Sequence, residues 1–346
     1  LGAGKINRMK TSINTALISI FVVSIVLMFI GLIICRPILK LMDTPDNILS
    51  EAEIYLKIYF WGLPFLFMFN VISSIFNALG KSMIPLAFLI FSSVLNVVLD
   101  IYFISALNAG IKGAAYATLI AQLISAVLSF AYLMLHLKKT EHNGTVSLFS
   151  FRLLKNMCRV AIPSTVQQSI VSVGMLLIQT AVNSFGSSFI AGYTAACKID
   201  SMAIMPIIAV GNAMSTFTAQ NIGAKKSERI KSGYFSSIAM ITVISAIILL
   251  IVFIFKIPII SAFLDSESGQ NAIDAGVEYI SITAYCYIFM GLMNCTNGIL
   301  RGAGDASFFL LSSLISLGLR VLIVYSLIGT IGSVIIAWAA PISWFA

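Results

Sequence analysis

One carboxylate and one amide, a helical turn apart, are the first residues of this sequence with chemistry to do. Asp100 closes the run Ser92-Ser-Val-Leu-Asn96-Val-Val-Leu-Asp100, and no other Asp, Glu, Lys, Arg or His occurs between Lys81 and Lys112. At i,i+4 spacing Asn96 and Asp100 share one helix face. A carboxylate at the centre of a membrane helix costs about 2.5 to 3.5 kcal/mol on insertion scales, so it normally faces a cavity and binds a proton, an ion or a substrate. The simpler alternative is an aspartate near a helix end that reaches the lipid headgroups.

The rest of the chain must hold that pair in an apolar medium. Hydrophobic residues make up 59% of 346 positions and charged residues 10%, with a mean hydropathy of +1.02, whereas soluble domains carry roughly 25% charged residues. The composition is that of a polytopic membrane protein whose lipid-bilayer contact is extensive. The net charge of +8 sits in short loops between apolar segments, as orientation signals do, so nucleic acid is not an expected partner. Cys35, Cys158, Cys197, Cys286 and Cys295 are scattered without a C-x-x-C and read as small packing residues. His136 and His142 flank a polar linker and read as solvated. The absence of G-x-S-x-G, P-loop and H-E-x-x-H patterns excludes the enzyme classes built on them.

Ten apolar segments follow one another: 13–34, 54–79, 83–107, 111–137, 157–185, 188–220, 234–255, 276–300, 307–328 and 331 to the end. Apart from the last they reach the roughly 20 residues a membrane helix needs, which favours helices over a β-barrel of shorter alternating strands. Sorted by alternate loops, 14 Lys and Arg fall on one side and 5 on the other, with Lys198 and Arg320 inside spans. The positive-inside rule then puts residue 1 in the cytoplasm. The loop acids Asp43, Asp46, Glu51, Glu53, Asp265, Glu267, Asp274 and Glu278 all fall outside, and Asp100 in the outer half of the membrane. Pro64, Pro163 and Pro206 lie within spans, where they are expected to kink their helices.

The chain also repeats itself. Leu1-Gly-Ala-Gly-Lys-Ile-Asn-Arg-Met-Lys10 matches Ile222-Gly-Ala-Lys-Lys-Ser-Glu-Arg-Ile-Lys231 at an offset of 221, which also aligns Pro37-Ile38 with Pro258-Ile259. After three extra residues in the second copy, Tyr55, Asn70, Ile75 and Gly80 align with Tyr279, Asn294, Ile299 and Gly304. Asn96 then aligns with Arg320 and Asp100 with Val324. A duplicated bundle follows, expected to comprise twelve helices as two six-helix bundles with about ten present. The expected organisation is an N-terminal bundle over 1–137 lacking its first two helices, a cytoplasmic linker over 138–152, and a C-terminal bundle over 153–346 with its last helix cut short.

Several short motifs in this order carry a resemblance. They are the paired basic-glycine loops, Tyr55-Leu-Lys-Ile-Tyr-Phe-Trp-Gly-Leu-Pro64, Asn77-Ala-Leu-Gly80-Lys-Ser82, Asn96 to Asp100, Gly113-Ala-Ala-Tyr-Ala-Thr118-Leu-Ile-Ala-Gln122, Gln220-Asn-Ile-Gly-Ala224 and Leu300-Arg301-Gly-Ala-Gly304-Asp305. Together they resemble bacterial members of the multidrug and toxic compound extrusion (MATE) family, across essentially the whole chain. The resemblance implies a non-enzymatic, inner-membrane antiporter that acts as a monomer. Entry of H+ or Na+ would drive out drugs or metabolites, often cationic and aromatic, by alternating access.

The resemblance also implies a site. Asn96 and Asp100 match the fifth-helix Asn-x-x-x-Asp pair, and Ala114 and Thr118 match a small residue and threonine on the sixth helix. Oxygen ligands suit Na+, and a carboxylate withdrawn from water takes up a proton more readily; no cofactor beyond this coupling ion is implied. An acid on the family's first helix would lie before residue 1. Tyr55, Asn70 and Gln122 are expected to line the substrate cavity. The pattern of C-terminal acids on the seventh and tenth helices is not met: 164–186 and 284–300 contain none. Asp200 with Lys198 is the C-terminal alternative, although at i,i+2 the two do not share a face. Arg320 is expected to pair with helix-end carbonyls or a carboxylate elsewhere. Competing readings are a lipid-linked sugar flippase of the same superfamily, which would favour a strongly cationic cavity, and a membrane-embedded enzyme or scaffold.

Overall fold

A computed structural model describes residues 2–41, 44–139, 145–264 and 269–345. His142 and the loop acids Asp43, Asp265 and Glu267 lie outside the described residues. Apart from its first two residues, the chain divides into two compact units, residues 3–156 and 157–346.

In the first unit α1 (Ile6–Leu41), α2 (Asp46–Ala78), α3 (Met83–Ile101) and α4 (Gly110–Lys139) are joined by short turns. α2 packs between α1 and α4, and α3 lies along α4. The apolar contact is thin: Ile13, Leu17, Ile72, Phe76, Leu133 and Leu137 form one buried cluster, and Cys35, Leu39 and Leu49 another. Most other apolar side chains point outward, as Val94, Val97 and Val98 do on α3. Facing hydrocarbon, such residues cost nothing, because lipid tails are as apolar as they are.

The second unit contains α5 (Phe151–Asn183), which starts at the end of the linker, then α6 (Ser187–Gly223), α7 (Glu228–Ala262), α8 (Gln270–Tyr285), α9 (Tyr287–Ala303), α10 (Ala306–Ile331) and α11 (Val334–Phe345). α6 is its central helix and packs on α7, α8 and α9. α6 and α9 approach closely where Gly298 and Gly302 are spaced as G-x-x-x-G. A Cβ added at Gly298 would lie 2.3 Å from the Gly211 carbonyl oxygen, and one at Gly302 2.3 Å from that of Ser215. Small residues at this spacing let backbones meet where no hydrophobic effect drives helices together.

Among the described residues eight helices are long and apolar enough to cross a membrane, α8 and α9 pass the same test together as a bent pair, and α11 is a shorter apolar helix. Several exceed the expected lengths: α1 has 36 residues, about 54 Å at 1.5 Å per residue. Its apolar core continues into polar flanks that are themselves good helix formers.

The segment 276–300, expected as one span, is instead two helices bent by 53° at Cys286. α2, α5 and α6 run as single elements through Pro64, Pro163 and Pro206. Just before the break, the Thr283 hydroxyl lies 3.1 Å from the Tyr279 carbonyl oxygen and 3.3 Å from that of Ile280. Such back-bonding competes with the helix ladder and bends it.

The repeat is visible in the backbone. Gly4 and Lys225, 221 positions apart, are both left-handed at φ 67° and 57°. Gly80 and Gly304, then Asn108 and Gly332, are 224 apart and left-handed at 75° and 83°, and at 49° and 80°. Helices α1 and α7 have 36 and 35 residues and carry the aligned Pro37 and Pro258. Non-glycine residues rarely adopt positive φ, so three matched left-handed positions mark the same turns made twice.

Candidate functional site

The Asn96 and Asp100 face lies in the last two turns of α3, where the helix changes character. Tyr102–Ala106 widens into a π-helical turn directly after Asp100. Wide turns of this kind are uncommon and concentrate at functional sites, because they displace carbonyls from the regular ladder. Gly113 then admits α4 against this turn: an added Cβ would lie 3.0 Å from the Phe103 and Ala109 Cβ atoms. That close approach places the first turns of α4 beside the end of α3.

Across this contact the Asn96 Nδ2 donates to Thr118 Oγ1 at 3.3 Å, and the Thr118 hydroxyl donates to the Ala114 carbonyl at 3.1 Å. Three of the four residues singled out from the sequence are thus joined in one chain of hydrogen bonds, Ala114 through its backbone oxygen. Asp100 is one turn beyond Asn96 on the same face. Its Oδ1 is buried and has no hydrogen-bond partner. A buried carboxylate oxygen left unmatched costs more than a neutral group would, so a ligand that fills its lone pairs is stabilising. The oxygens here are a carboxylate, an amide carbonyl, a hydroxyl and a peptide carbonyl, the donor set of a hard cation. No group of three His, Cys, Asp or Glu side chains is gathered anywhere among the described residues.

Tyr55 and Gln122 border the same region. With Thr118, Tyr59, Gly62 and Ala115 they line a narrow void of about 210 Å³ between α2 and α4. Only about 10 Å³ of it can take the centre of a water molecule, the room of a single water. Gly62 keeps the void thin, since an added Cβ would lie 3.0 Å from Gln122 Oε1. Asn70 is not gathered there. It lies eight residues beyond Gly62, about 12 Å along the axis, and its Nδ2 donates to its own helix at the Leu66 carbonyl, 2.9 Å away. This unit has an apolar groove of about 540 Å³ lined by Phe21, Met68 and Phe130 and, beside the void, another of about 600 Å³ lined by Trp61, Phe65, Tyr116, Leu119, Lys57 and Lys112, each with space for an organic compound. Sequence reasoning passed over the groove beside the void, although Trp61 and Tyr116 stand within the quoted motifs.

In the second unit Asp200 and Lys198 go separate ways. Lys198 is exposed, while Asp200 Oδ1 accepts a hydrogen bond from the Tyr287 hydroxyl at 2.5 Å. Arg320 is buried, 8% exposed. It pairs with neither a helix-end carbonyl nor a carboxylate: its Nη1 lies 3.8 Å from Met175 Sδ and its Nε has no partner. The ion pairs among the described residues are Arg36–Glu53 and Lys57–Glu53, in the first unit.

A duplicated helical membrane protein with isolated polar clusters inside its bundles is the architecture of a secondary transporter rather than of an enzyme. The MatE family profile matches residues 1–102 and 163–326. The chain is 32% identical over 324 residues to the probable multidrug resistance protein YpnP of Bacillus subtilis, covering 91% of this chain and 70% of that protein. It is 29% identical to YoeA of the same organism, also described as a probable multidrug resistance protein, covering 88% of this chain and 66% of that one. The solved structure of a MOP superfamily transporter from Pyrococcus furiosus matches with a TM-score of 0.91 at 22% identity, over 99% of this chain and 77% of that one. The chain belongs to the MatE family, and these relatives do not favour the flippase reading.

Proposed function

We propose that this chain forms the greater part of an inner-membrane efflux antiporter. Inward movement of H+ or Na+ drives the export of organic, often cationic and aromatic, compounds by alternating access. The observation that carries this reading is the unmatched Asp100 oxygen beside the Asn96–Thr118–Ala114 hydrogen bonds. In a cation-loaded state Asp100 takes a proton or, with the neighbouring oxygens, holds Na+, and the cost of the bare carboxylate is removed. When the ion leaves, that cost returns, so the loaded and empty forms favour different packing of α3 against α4. The multidrug resistance names of the Bacillus subtilis relatives support the substrate class, and the groove lined by Trp61 and Tyr116 together with Lys57 and Lys112 offers aromatic faces to an organic compound.

The test is energised ethidium efflux from cells carrying the full-length gene. Asp100→Asn keeps the shape and removes the titratable charge, so export is expected to fall to the level of cells without the transporter. Export that remains ion-coupled in Asp100→Asn would overturn this site.

A further inference from the structure

We propose that Asp200 is a proton-binding site of the second unit, seated at the break between α8 and α9 and balanced by Arg320. This goes beyond the efflux reading and does not rest on it. Asp200 is the only acid in α6. It lies thirteen residues from that helix's first residue, about 20 Å along the axis, where water is remote and a bare carboxylate is costly.

Five helices supply what surrounds it. Tyr287, 0% exposed and the first residue of α9, donates its hydroxyl to Oδ1. The other titratable groups that act on the carboxylate are Tyr193 and Cys197 from α6, Tyr279 from α8 and Arg320 from α10. The Tyr193 and Tyr279 rings meet edge to face, centroids 5.0 Å apart, and close one side of the cluster. α5 contributes the Met175 thioether, which is not titratable. Arg320 acts on Asp200 through space without forming an ion pair with it, and its Nε is buried without a partner. A buried guanidinium with an open donor is a second costly group aimed into the same cluster.

The chemistry of these neighbours selects the ligand. A metal ion needs several oxygen donors and is repelled by a guanidinium beside the only carboxylate. A proton needs one oxygen. It adds to an Asp200 carboxyl oxygen, the cluster changes from neutral to a net single positive charge, and the Tyr287 hydrogen bond weakens from charged to neutral. That bond is the tie between α6 and the first residue of α9, immediately beyond the 53° break at Cys286. Proton uptake therefore loosens a tie at the first residue of α9, and proton loss restores it.

The test uses the full chain in lipid nanodiscs, with Trp61→Phe and Trp338→Phe leaving Trp344 as the sole tryptophan. Its ring lies 6.4 Å from that of Tyr287 and reports on the tie. Trp344 emission is expected to follow a single-proton transition as pH is varied. Asp200→Asn and Tyr287→Phe abolish it, Arg320→Gln displaces it along the pH axis, and Arg320→Lys leaves it near the parent position. Should Asp200→Asn fail to fold, infrared difference spectra of the Asp100→Asn chain with isotope-labelled aspartate give the answer without it. A protonated carboxyl band that appears on acidification and moves in frequency in Tyr287→Phe supports the site, because that hydroxyl is bonded to Asp200. An emission transition that survives in folded Asp200→Asn, or the absence of any aspartic acid band sensitive to Tyr287→Phe, overturns it. Neither readout involves export, so efflux can fail while this site stands, and the reverse.

Discussion

Where α3 carries Asn96 and Asp100, the second copy of the repeat carries Arg320 and Val324 on α10. The turns leading into these helices match in their left-handed positions at Gly80 and Gly304, and the turns leaving them at Asn108 and Gly332. The side chains diverge. Asp100 has an unmatched oxygen and no cation among its hydrogen-bond partners, while Val324 is fully buried in the apolar core of its unit. In the second unit the acid within α6, Asp200, comes from a different helix and meets a tyrosine at a helix break. Its counterpart in α2 is continuous: Cys286 aligns with Gly62, which lies inside an unbroken helix of 33 residues. Duplication thus supplied a scaffold of helices and turns, and a few substitutions on it decided where polar chemistry is held.

The largest effect is expected where the two copies differ in how closely helices approach. Gly298 and Gly302 align with Ser74 and Ala78 on α2. A Cβ at Gly298 would press on the Gly211 carbonyl oxygen at 2.3 Å, and backbone cannot move aside as a side chain can. Overpacking typically costs about 1–3 kcal/mol, and Gly298→Ala is expected at the upper end. It should show as a sharp loss of folded protein on size-exclusion and a lowered thermal midpoint. Ser74 is exposed and its hydroxyl bonds its own helix at Asn70, so Ser74→Ala should leave both measurements unchanged. Equal losses from the two substitutions would break the comparison.

A second expectation converts one copy toward the other. Asn96→Arg places on α3 the residue that α10 carries, one turn from Asp100. The guanidinium would satisfy the carboxylate permanently and remove its need for a proton or Na+. Ethidium efflux should fall by about tenfold or more, equivalent to at least about 1.4 kcal/mol, with the protein folded. Efflux at the parent rate would show that the bare carboxylate is not what couples transport.

Much of this was legible in the sequence because the signals were local or repeated. Apolar runs located the helices, matched Gly, Lys and Arg positions gave the repeat, and i,i+4 spacing put Asn96 with Asp100 and Ala114 with Thr118. Joining the two pairs needed the resemblance, since nothing local brings residue 96 to residue 118. The π turn after Asp100 depends on hydrogen-bond register, to which composition is blind. The break at Cys286 has neither proline nor glycine to announce it, while the proline-bearing helices α2, α5 and α6 each continue as one element. Asp200 and Tyr287 meet across 87 positions, and only the packing of α6 on α9 unites them. The G-x-x-x-G at Gly298 was open to reading and marks one of the close backbone contacts of α6.

The smallest effect is expected near the N-terminal end of α2, where the first copy carries a charge pair that the second lacks. Lys57 Nζ lies 2.7 Å from Glu53 Oε1, with Arg36 Nε 3.7 Å from the other oxygen. Their aligned positions are Ser281 and Val277. The Lys57 side chain is 47% exposed and Arg36 63% exposed, so solvent and salt screen both contacts, and pairs of this kind contribute little to stability. Lys57→Ser, which installs the second copy's residue, should leave the thermal midpoint and ethidium efflux within error of the parent, because Arg36 still neutralises Glu53. A clear drop in efflux with unchanged stability would assign Lys57 a part in the aromatic groove it borders with Trp61 and Tyr116. The difference between the copies would then extend from the site at Asp100 to the mouth of that groove.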